Sequence, residues 1–172
     1  MSTKSGKIGH HKFHGDPARF DAVAFFIAQN YTGKVKRIAD VAGGQGVLCR
    51  ILSKKYNFEC EVVDPRGFTL VGVDNRKEEY KADMADYYDL IVGIHPDEAL
   101  REVAYSAKIR PVIVIPCCNF WSKEETLGRD ALLTKIEEFY RENNISYKRV
   151  TFDFEGPKNI GLVSTPPDYP TT

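Results

Sequence analysis

Residues 38–64 read IADVAGGQG, then VLCRILSKKYNF, then ECEVVD, and the order of these three pieces decides the fold. An apolar strand over 37–41 runs into a glycine turn. The turn opens a helix that places Val47, Leu48, Ile51 and Leu52 on one face and keeps Arg50, Lys54 and Lys55 outside. A second strand over 60–63 then ends in Asp64. Strand, glycine turn, helix and acid-ended strand together make the first half of a nucleotide-binding α/β sheet. Glycines let a ligand approach the backbone because no Cβ intervenes. Free N–H groups at the helix start favour a phosphate or an amino-acid zwitterion. An acid at the end of the next strand accepts hydrogen bonds from ribose hydroxyls.

Working outward, Asp16-Pro17 is a helix start, with an acid at the N-cap and proline at the first helical position. Phe20, Val23, Ala24, Ile27 and Ala28 recur at helical spacing, which predicts a helix over 17–29. Past Asp64, residues 68–88 carry no long helical pattern. A short strand or extended loop is expected over 69–73 and another strand over 79–82. A doubly wound sheet needs two helices in this interval, and the chain is too short for both. The pattern resumes with LIVGI at 90–94, a continuous apolar run suited to a parallel strand covered on both faces. A helix is expected from 96 or 97 to about 107, then a second buried strand, VIVIP, at 112–116. Ser122 with Glu125 forms a capping-box pattern, which predicts a helix over 122–142 with Leu127, Ala131, Leu132, Ile136 and Phe139 on its apolar face. Strands over 147–154 and 160–164 flank a hairpin loop at 156–159.

Strand–helix alternation closed by a hairpin predicts an α/β fold: a three-layer Rossmann-like sheet, mostly parallel, with a C-terminal antiparallel hairpin. Ligands of such sheets bind outside the carboxyl ends of the strands. Those ends are Gly43–Gly46, Asp64, His95-Pro96-Asp97 and Cys117-Cys118-Asn119.

At 172 residues the chain suits one domain. Residues 16–166 are expected to form it, with a flexible basic arm at 1–15 and an irregular tail at 167–172. Lys+Arg and Asp+Glu are both 24, so the basic excess usual in a strong nucleic-acid binder is missing. A local basic patch stays open, since Lys4, Lys7 and Lys12 lie in the arm. No apolar run approaches the ~20 residues of a membrane span. Among Cys49, Cys60, Cys117 and Cys118 there is no CxxC, and no Cys/His grouping has zinc spacing. Adjacent Cys117 and Cys118 would point to opposite faces of a strand. A reduced, cytoplasmic chain with no metal site is the expectation. The arm's His10, His11 and His14 lack nearby acids and cysteines, so they are not expected to hold a metal either.

On these residues the chain resembles the class I S-adenosylmethionine-dependent methyltransferases. Their first-strand signature is an acid followed by a glycine-rich turn, D/E-x-G-x-G-x-G. Here it stands as Asp40-Val41-Ala42-Gly43-Gly44-Gln45-Gly46, with Ala42 in place of the first glycine. The resemblance implies S-adenosylmethionine as cofactor. It implies contacts from Asp40, Ala42, Gly43, Gly44 and Gly46, ribose binding by Asp64, and an adenine-side contact by Asp83 and Met84. A narrower likeness is to a subgroup with G-x-H near the fourth strand and P-C-C near the fifth, which includes transfer-RNA 2′-O-methyltransferase relatives. Gly93-Ile94-His95 and Pro116-Cys117-Cys118 carry it, although Pro96-Asp97 stands where Cys-Gly often follows the histidine. That likeness favours RNA over a small molecule or protein as acceptor, while their place at the strand ends makes His95, as a general base or a group that orients the substrate, with Asn119 and Cys118, the candidate catalytic residues.

Two other readings stay open. A nicotinamide-dependent oxidoreductase would need G-x-G-x-x-G, and Cys49 occupies the third glycine's place. A methyltransferase-like binding module without catalysis would account for the lack of an obvious acid–base pair.

Overall fold

A computed structural model describes residues 16–170 of the chain. The expectation of a flexible arm concerns residues outside this range. Asp16 Oδ1 accepts from the Ala18 N–H at 2.9 Å, which caps helix α1 (Ala18–Tyr31) as its sequence suggests. The chain then alternates through β1 (Arg37–Val41), α2 (Val47–Tyr56), β2 (Glu59–Val63), β3 (Asp74–Arg76), β4 (Leu90–Ile94), α3 (Leu100–Tyr105) and β5 (Val112–Ile115). It ends with α4 (Arg129–Glu142), β6 (Ser146–Thr151) and β7 (Ile160–Thr165).

The seven strands form one sheet in the order β3-β2-β1-β4-β5-β7-β6. β1 to β5 are parallel, and β7 lies antiparallel between β5 and β6. Because side chains alternate along a strand, the sheet feeds two apolar layers. Ile38, Val62, Leu90, Val92 and Ile113 pack with α1 and α2. Ala39, Val63, Ile91, Val112 and Val114 pack with α3 and α4 on the other face. The chain leaves β1 toward β2 and returns to β4 on β1's opposite side. This reversal splays the connecting loops apart and opens a crevice above the carboxyl ends of β1 and β4.

The segment between β2 and β4 is compressed, as its length requires, but its strand is Asp74–Arg76 and not 79–82. β3 is polar because it is an edge strand, held by pairing with β2 and by the Arg76–Glu61 ion pair at 2.9 Å. Tyr80, Ala85 and Tyr88 take over the cover that a missing helix would supply. The two hydroxyls are satisfied, Tyr80 with Ser106 Oγ at 2.7 Å and Tyr88 with Glu61 Oε1 at 2.5 Å.

Three further expectations are corrected. The helix expected from 96–97 to 107 is broken: only Leu100–Tyr105 is α-helical, with 3-10 turns on either side. α4 begins at Arg129, not at Ser122. Ser122 Oγ instead accepts from the Glu124 N–H at 3.1 Å, a local turn that competes with helix. The buried face of α4 is consequently Leu132, Leu133, Ile136, Glu137 and Tyr140, and Ala131 is exposed. Finally, Cys49 of α2 and Cys60 of β2 form a disulfide with Cα atoms 5.0 Å apart, against the expectation of a fully reduced chain. The pairing is invisible in the spacing, because it depends on α2 folding back over β2.

With a sequence separation of 11, the loop-entropy relation puts the disulfide's contribution at about 3 kcal/mol. Thiol titration of the unreduced, denatured protein is expected to count two free cysteines, Cys117 and Cys118. Reduction should lower the urea midpoint, and four titratable thiols before reduction would refute the bridge.

Candidate active site

The glycine turn is a run of alternating left-handed residues. Ala42, Gly44 and Gly46 have φ of 54°, 60° and 78°. These are the three glycine positions of the sequence pattern, so the spacing of two records a backbone requirement. Ala42 adopts the glycine conformation at a cost of roughly 1–2 kcal/mol. Gly43 is required for a different reason. A Cβ there would collide with the Asp40 carboxylate, reaching Oδ1 at 2.8 Å. At Gly46 a Cβ would meet Val73 at 2.6 Å and Val62 at 2.9 Å. The turn therefore lies directly on the acid of β1 and on the packing beneath α2.

Asp40 is 3% exposed, and its Oδ2 has no hydrogen-bond partner. Burial, reinforced by the Asp64 charge, pushes its carboxyl up to about 7. Asp64 behaves oppositely. Burial works to raise it, but hydrogen bonds from Arg66 and from the Gly44 N–H outweigh that and hold it below the usual carboxylate range. The Arg66 guanidinium reaches Oδ2 at 2.7 Å and Oδ1 at 3.0 Å, and Gly44 N–H donates to Oδ2 at 3.0 Å. Arg66 thus occupies lone pairs on both carboxylate oxygens. Its side chain is 51% exposed against 2% for Asp64, so it has room to swing away.

A cavity of 760 Å³ opens above the turn. Asp40, Ala42, Gly43 and Gly44 form its floor, and Ile94, His95, Asp97, Cys117 and Cys118 form one wall. Asp16, Arg19 and Phe20 at the start of α1 and residues 154–158 of the β6–β7 loop close the far side. His95 Nε2 must be protonated, because it faces the Lys158 carbonyl at 3.0 Å, an acceptor. Nδ1 is left as the lone-pair nitrogen. Burial pulls the imidazole below its ordinary pKa, against the opposing pull of that carbonyl. Burial, Cys118 and Asp97 push the Cys117 thiol up to about 12.

The remaining candidates are placed differently. Asn119 Nδ2 donates to the Glu125 carbonyl at 2.5 Å and Oδ1 accepts from the Ser122 N–H at 3.4 Å, so both ends hold the 119–125 loop together. Asp83 is exposed on the 3-10 turn over 82–87, and Met84 Sδ accepts from the Lys81 N–H at 3.3 Å. Neither they nor Asn119 are among the residues lining the cavity. Sequence reading passed over Arg66, Arg19 and Lys158. Arg66 had a signal, an arginine two residues past the strand-end acid. Lys158 had none, since it joins the site only through the hairpin.

No family model and no curated protein matches the chain. Solved structures do. A human methyltransferase 10 domain containing protein superposes with TM-score 0.62 at 11% identity, covering 92% of this chain and 85% of that one. The ribosomal protein L11 methylase from Lactobacillus delbrueckii subsp. bulgaricus gives 0.56 at 19% identity, over 84% and 76%. A SAM dependent methyltransferase from Archaeoglobus fulgidus gives 0.53 at 11% identity, over 84% and 93%.

The fold is that of the class I methyltransferases.

The glycine turn and Asp40 lie at the carboxyl end of β1, and Asp64 lies at that of β2. Among the described residues no helix is long and apolar enough to cross a membrane.

Proposed function

We propose that the chain transfers a methyl group from S-adenosylmethionine to a nucleophilic acceptor that enters past His95, Cys118 and Lys158. The observation that carries this is the pair of strand-end acids around the turn, one buried with an orphaned oxygen and one ionised against a half-exposed arginine. The residues fit the cofactor. Asp40 offers a buried, unpartnered carboxylate oxygen to its ammonium group. Asp64 offers two oxygens to its ribose once Arg66 withdraws, and the left-handed turn removes side chains from its path. Asp83 and Met84 are the adenine-side candidates. When bound, the cofactor supplies a methyl group on an activated sulfonium, so positioning does most of the catalytic work. His95 Nδ1 is then the group that takes the acceptor's proton, its ring oriented by the Lys158 carbonyl. RNA is the favoured acceptor, supported by the G-x-H and P-C-C residues and by the leader lysines Lys4, Lys7 and Lys12.

Calorimetry with S-adenosylmethionine and S-adenosylhomocysteine tests the cofactor; no heat up to millimolar ligand, or tighter binding of NADH, defeats it. Incubation with labelled S-adenosylmethionine and fractionated cell extract tests the acceptor, and label that survives ribonuclease treatment excludes RNA. Arg66→Gln is expected to tighten S-adenosylhomocysteine binding about fivefold, because a half-exposed ion pair is worth up to about 1 kcal/mol and its competition is removed. Weaker binding by the variant would instead make Arg66 a cofactor contact.

A further inference from the structure

The wall of the cavity holds a cluster that no spacing in the chain announces. Asp97 follows β4, and Cys117 and Cys118 follow β5. Each offers one ligand atom, and the three lie within 4.8 Å of one another. Cys117 Sγ already contacts Asp97 Oδ1 at 3.5 Å. The cysteines share this side because β5 ends at Ile115, so the alternation expected of a strand no longer separates them. Cys118 Sγ also receives Lys158 Nζ at 3.9 Å. Both are free thiols.

The backbone holds Asp97 here at a cost. His95 and Asp97, neither a glycine, have φ of 50° and 49° on either side of Pro96. Strain of this kind costs about 1–3 kcal/mol per residue and collects at functional sites. A helix beginning without it would carry Asp97 along the ordinary right-handed path.

We propose that Asp97, Cys117 and Cys118 form a three-ligand site for a zinc-class divalent cation. Two thiolates with one carboxylate suit a borderline-soft ion and disfavour magnesium or calcium, which take oxygen ligands. Zinc bonds of about 2.0–2.3 Å place tetrahedral ligand atoms roughly 3.4–3.8 Å apart, so the cluster closes with side-chain shifts of about an ångström. Three protein ligands leave the fourth position open, the pattern of catalytic zinc sites. All three ligands line the same cavity as the glycine turn. On the methyl-transfer reading, that open position receives the acceptor's hydroxyl or thiol and eases loss of its proton. The metal site itself does not depend on that reading.

The test is cobalt(II) titration of the full chain after chelator treatment, without methyl donor. The expected result is one ion per chain with a thiolate-to-metal charge-transfer band, displaced by zinc. Cys117→Ser, Cys118→Ser and Asp97→Asn should each weaken binding at least tenfold. The His10, His11 and His14 triple alanine variant should bind as wild type. If the variants fold poorly, zinc should slow alkylation of Cys117 and Cys118 in the unmodified protein. No thiolate band, unprotected cysteines, or binding lost only with the leader histidines overturns the site. S-adenosylhomocysteine calorimetry on the same chelator-treated protein reads the donor pocket separately, so failure of one proposal is distinguishable from failure of the other.

Discussion

Asp64→Asn is expected to weaken S-adenosylhomocysteine binding by about two orders of magnitude. The substitution keeps the shape of the side chain and removes its charge. A hydrogen bond to a charged group is worth about 1.5–3 kcal/mol, and two ribose hydroxyls share this carboxylate in the proposed complex. A loss of about 1.4 kcal/mol is a factor of ten. The ligand-free fold should change little. The amide oxygen introduced by the substitution still accepts from the Gly44 N–H, and the lost partner, Arg66, is half exposed. Calorimetry supplies the affinity and circular dichroism the fold. Unchanged affinity in a folded variant removes Asp64 from the cofactor site.

The second large effect is a pH dependence set by Asp40. Its carboxyl is pushed up to about 7 by burial and by the Asp64 charge. A raised acid binds its proton more tightly folded than unfolded. It therefore contributes stability that is fully present at low pH and is lost as pH rises from the ordinary carboxylate range toward 7. Across that window this contribution falls by about 1.4 kcal/mol per pH unit. A cationic ligand reverses the preference, because it pairs with the ionised form. Affinity for S-adenosylhomocysteine, through its ammonium group, should accordingly rise about tenfold per pH unit up to about pH 7 and level off above. Asp40→Asn should flatten both profiles and stabilise the ligand-free protein at pH 8. Asp64→Asn should move the Asp40 midpoint downward, since it removes one of the two causes of the shift. Parallel slopes in wild type and Asp40→Asn would assign the titration to another group, His95 among them.

The turn, α2 and the two strands around it were legible because each obeys a local rule. Left-handed φ at 42, 44 and 46 demands glycine or a small residue, and that demand shows as a spacing of two. The buried strands Leu90–Ile94 and Val112–Ile115 announce themselves as unbroken apolar runs, because both faces of the sheet are covered. Asp16 reads as a cap because capping is a contact between near neighbours.

What escaped was set by distant partners or by competing local turns. β3 is a strand because β2 pairs with it, and its polar residues give no periodic signal. Ser122 and Glu125 satisfy a capping pattern, yet Asn119 and Ser122 hold those residues in turns, and α4 starts seven residues later. The same holds for the Cys49–Cys60 bridge, whose partners meet only when α2 lies over β2.

Residues 38–64 therefore sufficed for the two acids around the turn, and together with the apolar runs at 90–94 and 112–116 and the closing hairpin for the architecture, because backbone conformation and strand-end chemistry are local properties. Tertiary structure alone decided how those acids behave. Asp40 became a carboxyl that titrates near neutrality because the glycine turn and the sheet bury it beside a second charge. Asp64 became an ion masked by Arg66. Asp97 joined Cys117 and Cys118 because β4 and β5 run parallel and end side by side, which brings residues 20 apart in sequence into one cluster. A sequence lists the donors and acceptors, but their pairing and their solvation are properties of the packed chain.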